Sequence, residues 1–145
     1  MPHLAQINVA HIKGTAEDPF MAGFFDNLDR INKLAEESPG FVWRLQSDQG
    51  NATDIILTED PTFLINMSVW TSVEALRAYT YTTEHLAFIK RRKEWFTPYD
   101  GPYYALWWVP AGKIPTPEEG LAKLAHLKEQ GPTSEAFNFT TVFPS

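Results

Sequence analysis

The stretch Asn66-Met67-Ser68-Val69-Trp70 decides the fold of this chain. It runs directly into a segment carrying Tyr81, His85, Arg91, Arg92 and Trp95. Read as a strand, its alternation places Met67 and Val69 on one face and Asn66, Ser68 and Trp70 on the other. A plain two-sided core would not carry amides and hydroxyls at those positions, because each costs free energy when buried without a partner. The pattern therefore points to a strand whose second face lines a cavity.

Working outward, this strand begins at Phe63, after Asp60-Pro61. The first strand is expected from Leu4 to Ile12. Asp18-Pro19 then opens a helix, with an N-cap residue followed by proline at the first helical position. Its apolar stripe comprises Phe20, Met21, Phe24, Phe25, Leu28, Ile31, Leu34 and Ala35, and Ser38-Pro39-Gly40 stops it. A second strand spans Phe41 to Gln46, and Ile55-Ile56-Leu57 would extend a hairpin. Thr71 with Glu74 reads as a capping box for a second helix, broken near Thr82-Thr83 and reaching Phe96. A fourth strand, Tyr103 to Val109, precedes another capping box at Thr116 and Glu119, which starts a short helix to about Gln130. The tail Ala136 to Phe143 reads as extended. The order βαββαβ matches the α+β ferredoxin-like topology, with an extra C-terminal helix and tail, in one domain over residues 1–145.

Alternate residues divide the sheet into two sets. Ala5, Ile7, Val9, Phe41, Trp43, Leu45, Phe63, Ile65, Met67, Val69, Tyr103, Ala105, Trp107 and Val109 form an apolar set, the expected partner of the helices. Leu4, Gln6, Asn8, Val42, Arg44, Leu64, Asn66, Ser68, Trp70, Tyr104, Leu106 and Trp108 form a second set, too apolar for water and too polar for a dry core. A second copy of the chain is the expected cover, so that a homodimer closes two sheets into a barrel around a pocket. The tail phenylalanines Phe137, Phe139 and Phe143 offer a cover within one chain.

Composition narrows the function. The absence of cysteine excludes disulfides, thiolate metal sites and a cysteine nucleophile. A net charge of −6 argues against general affinity for nucleic acid. No signal peptide and no apolar run of membrane-spanning length is present, so a cytoplasmic location without membrane contact is expected. His3, His11, His85 and His126 show no metal-ligand spacing, and no phosphate loop, nucleophile elbow or dinucleotide fingerprint occurs, so no metal is predicted.

Beyond these general features, the run Asn66 to Trp70, Glu74-Ala75-Leu76, Tyr81, His85, Arg91-Arg92, Glu94-Trp95-Phe96, Leu106 to Gly112, Pro115-Thr116, Gly131-Pro132 and Ala136-Phe137 resembles a bacterial family of unknown function. That family belongs to the dimeric α/β-barrel superfamily, beside the antibiotic-biosynthesis monooxygenases. The resemblance spans roughly residues 3 to 143. It implies a dimeric barrel with a small-molecule pocket. Superfamily relatives include cofactor-independent oxygenases of electron-rich aromatic compounds, haem-binding enzymes, isomerases and proteins without known activity, so the fold alone does not choose a reaction.

The candidate catalytic residues are His85, Arg92 and Tyr81. Histidine exchanges protons near neutral pH, and His85 lies one helical turn beyond Tyr81. The plainer reading gives His85 a hydrogen bond to backbone or to Tyr81. Arg92, seven residues after His85, is an anchor for an anionic group, or else part of a solvated helix face. Asn8, Arg44, Asn66, Ser68, Trp70, Trp95 and Trp108 are the candidate substrate-binding residues, with the tryptophans equally able to serve as filling. No cofactor is predicted; haem is the exception kept open, with His85 as axial ligand and Arg91 or Arg92 at the propionates. The expected function is a monooxygenase-like or isomerase-like enzyme for a small, apolar or aromatic substrate, and the alternative is a haem-binding or non-catalytic carrier.

Overall fold

The computed structural model describes residues 2–14, 17–45, 63–82, 86–87, 90–97 and 101–145. Four antiparallel strands form one sheet: β1 (His3–His11), β2 (Phe41–Arg44), β3 (Phe63–Trp70) and β4 (Tyr104–Val109), in the spatial order β2-β3-β1-β4. Two crossovers, β1 to β2 and β3 to β4, give this order, which is the ferredoxin-like arrangement expected from the sequence. The register opposes Ala5 to Val69, Gln6 to Ser68, and Asn8 to Asn66, so the polar residues of β1 and β3 meet on one face. Ile55-Ile56-Leu57, Asp60-Pro61 and His85 lie outside the described residues.

The first helical segment is broken where the sequence suggested one helix. A tight turn at Pro19–Met21 leads to α1 (Ala22–Phe25), and α2 (Leu28–Glu37) follows after a two-residue interruption. Asn27 explains the break, because its Nδ2 donates to the Gly23 carbonyl at 2.7 Å and competes with the regular backbone ladder. Gly40 then turns the chain with a φ of 84°. A Cβ there would stand 2.4 Å from that of Ala75, so glycine also permits the close seat of the next helix.

That helix, α3 (Val73–Thr80), is capped by Ser72, whose hydroxyl accepts from Ala75 N at 3.1 Å, and not by the expected Thr71. Thr71 stands one residue before the cap, where its N–H donates to the Gly40 carbonyl. Helix α3 ends at Thr80. A short α4 (Arg92–Trp95) is tied to the end of β1 by Lys13 N to Trp95 O and Thr97 N to His11 O. Thr116 caps α5 (Pro117–Gln130) as expected, through Glu119 N at 3.1 Å. The Glu119 carboxylate accepts instead from Trp107 Nε1, at 2.9 Å.

The two sheet faces are covered in the reverse of the expected way. Helix α5 packs on the apolar set, where Ala5, Ile7, Met67, Val69, Trp107, Leu124 and Leu127 form one core. Gly120 makes this seat possible, since a Cβ at that position would lie 2.7 Å from Ile7 Cδ1. Helices α2 and α3 cover the second face, where Leu4, Ala35, Trp70, Val73, Leu76 and Leu106 pack with Phe137 and Phe41. A register shift between Phe41 and Trp43 breaks the alternation of β2, so Phe41 joins this face and Val42 the other, against the grouping expected from parity. Parity separates two faces of a strand but does not say which helix lands on which, and here both sets carry enough apolar surface to hold one. The argument for a second copy over an uncovered second face therefore falls, because the chain covers that face itself. The tail contributes as the sequence suggested, with Phe137 bridging to Leu106 beyond β4 and Phe139 and Phe143 packing nearby.

Candidate functional site

A cavity of about 450 Å³ lies between the second sheet face and the helices α2 and α3. This falls within the range of about 300–1,000 Å³ common for small-molecule pockets. Its walls are mainly apolar, with Phe24, Leu28, Ile31, Leu76 and Leu106 among them, while the floor is polar.

Four side chains from the two central strands build that floor. Gln6 Nε2 donates to Asn66 Oδ1 at 3.0 Å and to Ser68 Oγ at 2.8 Å, spending both of its hydrogens. Gln6 Oε1 accepts from Asn8 Nδ2 at 3.1 Å, and Asn8 Nδ2 also reaches Asn66 Oδ1 at 3.4 Å. Trp70 Nε1 donates to Ser68 Oγ at 2.8 Å. Gln6 and Ser68 are buried, each 7% exposed. A serine oxygen offers two lone pairs and one hydrogen, so Ser68, accepting twice, keeps its own proton to donate. Among the described residues, Asn66 Nδ2 likewise holds no hydrogen bond, and Asn66 is exposed to the cavity. The floor thus offers two donors, Ser68 Oγ–H and Asn66 Nδ2–H, to whatever occupies the space.

The aromatic wall is fixed by packing. Trp70, fully buried, stacks on Tyr79 at 5.2 Å and meets Phe41 edge-on at 5.5 Å. Burial pushes the Tyr79 phenol well above its ordinary value, and the nearby positive charge of Arg44 offsets this only in part. Burial also raises Tyr104, against the lowering effect of the Phe139 N–H that donates to its oxygen at 3.1 Å. Both phenols therefore stay protonated at neutral pH. Arg44 closes one end of the cavity, its side chain 11% exposed and its Nε 2.8 Å from Glu36 Oε1.

Of the residues singled out in the sequence, Asn8, Arg44, Asn66, Ser68, Trp70 and Tyr81 all line this cavity. Trp95 stands outside the lining: it is buried with Ile12, Met21 and Phe24 in a separate cluster under β1. Trp108 also stands apart, packed on Phe137 with its Nε1 donating to the Phe143 carbonyl at 2.9 Å. Both tryptophans fill structure here, which was the plainer of their two readings. Arg92 opens α4, and its side chain lies outside the described part. Arg91 is engaged with Glu94 through two bonds of 2.9 and 3.1 Å and lies over the Trp95 ring, away from the lining. Gln6, Tyr79 and Phe139 belong to the site without having been singled out. Gln6 shared the parity of Asn8, and Tyr79 stands one turn after Leu76, so both carried a legible signal; Phe139 was named with the tail phenylalanines as a cover of this face, though not as part of a site.

Among the described residues no cluster of acidic or histidine side chains is placed to hold a metal ion, and no helix is long and apolar enough to cross a membrane. No curated protein matches the sequence. Among solved structures, the chain is similar to SnoaB of Streptomyces nogalater, described as a cofactor-independent oxygenase, with 17% identity and a TM-score of 0.52 over 80% of this chain and 100% of that one. A protein of unknown function from Nitrosomonas europaea matches with 16% identity and a TM-score of 0.52, over 80% of this chain and 97% of the other. Another from the same organism, provisionally described as an antibiotic biosynthesis monooxygenase, matches with 18% identity and a TM-score of 0.51, over 79% and 93%. These identities establish a shared fold. The family model of the domain of unknown function DUF3291 matches residues 3–145, and the chain belongs to that family.

Proposed function

We propose that the cavity binds a small, planar, largely apolar molecule bearing an oxygen, and that the chain acts on it as a monooxygenase-like or isomerase-like enzyme without a bound cofactor. The observation that carries this reading is the polar floor, with the unspent donors of Ser68 and Asn66 set in an otherwise apolar enclosure. Such donors stabilise negative charge developing on a ligand oxygen, and more strongly in a low-dielectric site than in water. The oxygenase direction is taken from the description of SnoaB.

The proton acceptor must be supplied from elsewhere, because the described lining contains no carboxylate or histidine and its buried phenols are already protonated. We assign this role to His85, which follows Tyr81 and precedes Leu86, both of which line the cavity. In the oxygenase reading His85 takes a proton from an activated carbon, and the resulting enolate rests its charge against Asn66 and Ser68. Electrons then pass to dioxygen, one oxygen atom stays on the substrate and the other leaves as water. In the isomerase reading the same anion is reprotonated at another carbon. Arg92 keeps its proposed role as an anchor for an acidic substituent. Pairing of two copies belongs to the same proposal, and each copy would hold a complete cavity, since a single chain encloses it.

The experiment is oxygen-electrode and fluorescence measurement with one- to four-ring phenols and hydroxyketones, on the native chain and on His85→Ala. Oxygen uptake or substrate isomerisation that disappears in His85→Ala while binding persists supports the enzyme. Binding without any turnover favours the carrier, the reading that the scarcity of titratable groups in the described lining supports. Addition of haemin, followed by absorbance, tests a haem carrier in the same series.

A further inference from the structure

One wall of the cavity comes from neither the sheet nor the helices over it. The C-terminal tail is clamped at two points, by the paired bonds of Phe137 with Leu106 at 2.8 and 2.9 Å and by the bond from Trp108 Nε1 to the Phe143 carbonyl at 2.9 Å. Between these clamps Phe139 is held by every group it has. Its N–H donates to the Tyr104 hydroxyl at 3.1 Å, and its carbonyl accepts from Arg77 Nη2 at 3.4 Å. Its ring lies beneath the Arg77 guanidinium, 5.3 Å from centroid to carbon, and against Tyr104 at 5.8 Å. This ring faces the cavity, with Tyr81 beside it at 6.3 Å.

Resting on the reading of the cavity as a site for planar apolar molecules, we infer that Phe139 is a specificity-determining residue that sets the length of ligand accepted at the Tyr104 end. The two backbone bonds hold this stretch of the tail, and the Arg77 guanidinium with the rings of Tyr104 and Tyr81 packs around the Phe139 ring, so Phe139 is the side chain that a longer molecule meets at this end. Opposite walls, by contrast, come from the helices α2 and α3, whose positions the core already determines.

The test uses the full chain and two phenols of different length, 1-naphthol and 1-hydroxypyrene, with binding read by quenching of tryptophan fluorescence. Phe139→Ala is expected to shift the affinity ratio toward 1-hydroxypyrene by about tenfold, the lower end of what a change of pocket volume produces. Phe139→Trp, which keeps the anchors and adds bulk, is expected to shift it the other way, and decides the matter if the alanine variant fails to fold. Equal changes for both phenols in the Phe139 variants overturn the inference while leaving the cavity reading intact. Failure of the native chain to bind either phenol overturns the cavity reading, and the inference with it.

Discussion

The indole Nε1 of Trp70 donates to Ser68 Oγ across 2.8 Å, two residues along the same strand face. With Gln6 Nε2 bonded to the same oxygen at 2.8 Å, Ser68 is the acceptor on which two buried donors depend. Ser68→Ala strands both, and a buried donor left unpaired costs about 1–3 kcal/mol. The variant should therefore unfold at a lower urea midpoint with an unchanged denaturant slope. An unchanged midpoint would mean that the floor is hydrogen-bonded through groups other than these.

Asn66 separates a cavity-facing donor from a structural acceptor within one side chain. In Asn66→Asp the carboxylate still accepts from Gln6, so the floor survives, but the donor facing the cavity is replaced by a negative charge. Losing a donor and setting a carboxylate against the lone pairs of a carbonyl oxygen should weaken binding of an acceptor-only aromatic ketone such as 1-tetralone by about tenfold or more, equivalent to about 1.4 kcal/mol. Calorimetric titration against Asn66→Asp and the native chain measures this directly. Equal affinities would remove Asn66 from the site.

The fold was legible in the sequence because its signals were local. Thr116 with Pro117 announced α5, and the alternation from Phe63 to Trp70 announced β3 with its polar face. Asn8, Asn66 and Ser68 could be grouped by parity alone, and the register places Asn8 opposite Asn66. What parity could not supply was the assignment of helices to faces, since that depends on tertiary packing such as the seat of Gly120 on Ile7. Trp95 and Trp108 stayed open between wall and filling for a related reason: an indole suits a cavity wall and a dry cluster equally, and only its neighbours decide. Phe139 was legible as a tail cover of the second face, but its contacts with Arg77 and Tyr104, 62 and 35 residues away in sequence, were not.

Gly120 gives a test of the layer order itself. A leucine at this position must push into Ile7 and Met67, whose nearest atoms would lie 2.7 and 3.3 Å from its Cβ, and overpacking of this kind costs about 1–3 kcal/mol. Because α5 lies on the opposite side of the sheet from the cavity, Gly120→Leu should lower the melting temperature while leaving 1-naphthol affinity within about a factor of two below the melt. Loss of affinity in proportion to stability would place the ligand on the α5 side.

Tyr79 makes stability depend on alkaline pH, and the sign follows from its burial. A phenol in the unfolded chain titrates near the ordinary value of 10.0, whereas folded Tyr79 holds its proton to a higher pH. Below 10.0 both states are protonated and the contribution is fully present. Above it, the unfolded chain binds fewer protons than the folded one, so stability falls as pH rises toward the folded value. Tyr104, raised in the same direction, adds to this slope. Tyr79→Phe removes one source of the difference while keeping the ring that stacks on Trp70. Its melting temperature should therefore decline less than that of the native chain between about pH 9 and pH 11, and Tyr104→Phe should flatten the decline further. Parallel declines in native and variant proteins would mean that the Tyr79 hydroxyl titrates as it does in water, and the wall between Trp70 and Arg44 would then be open to solvent.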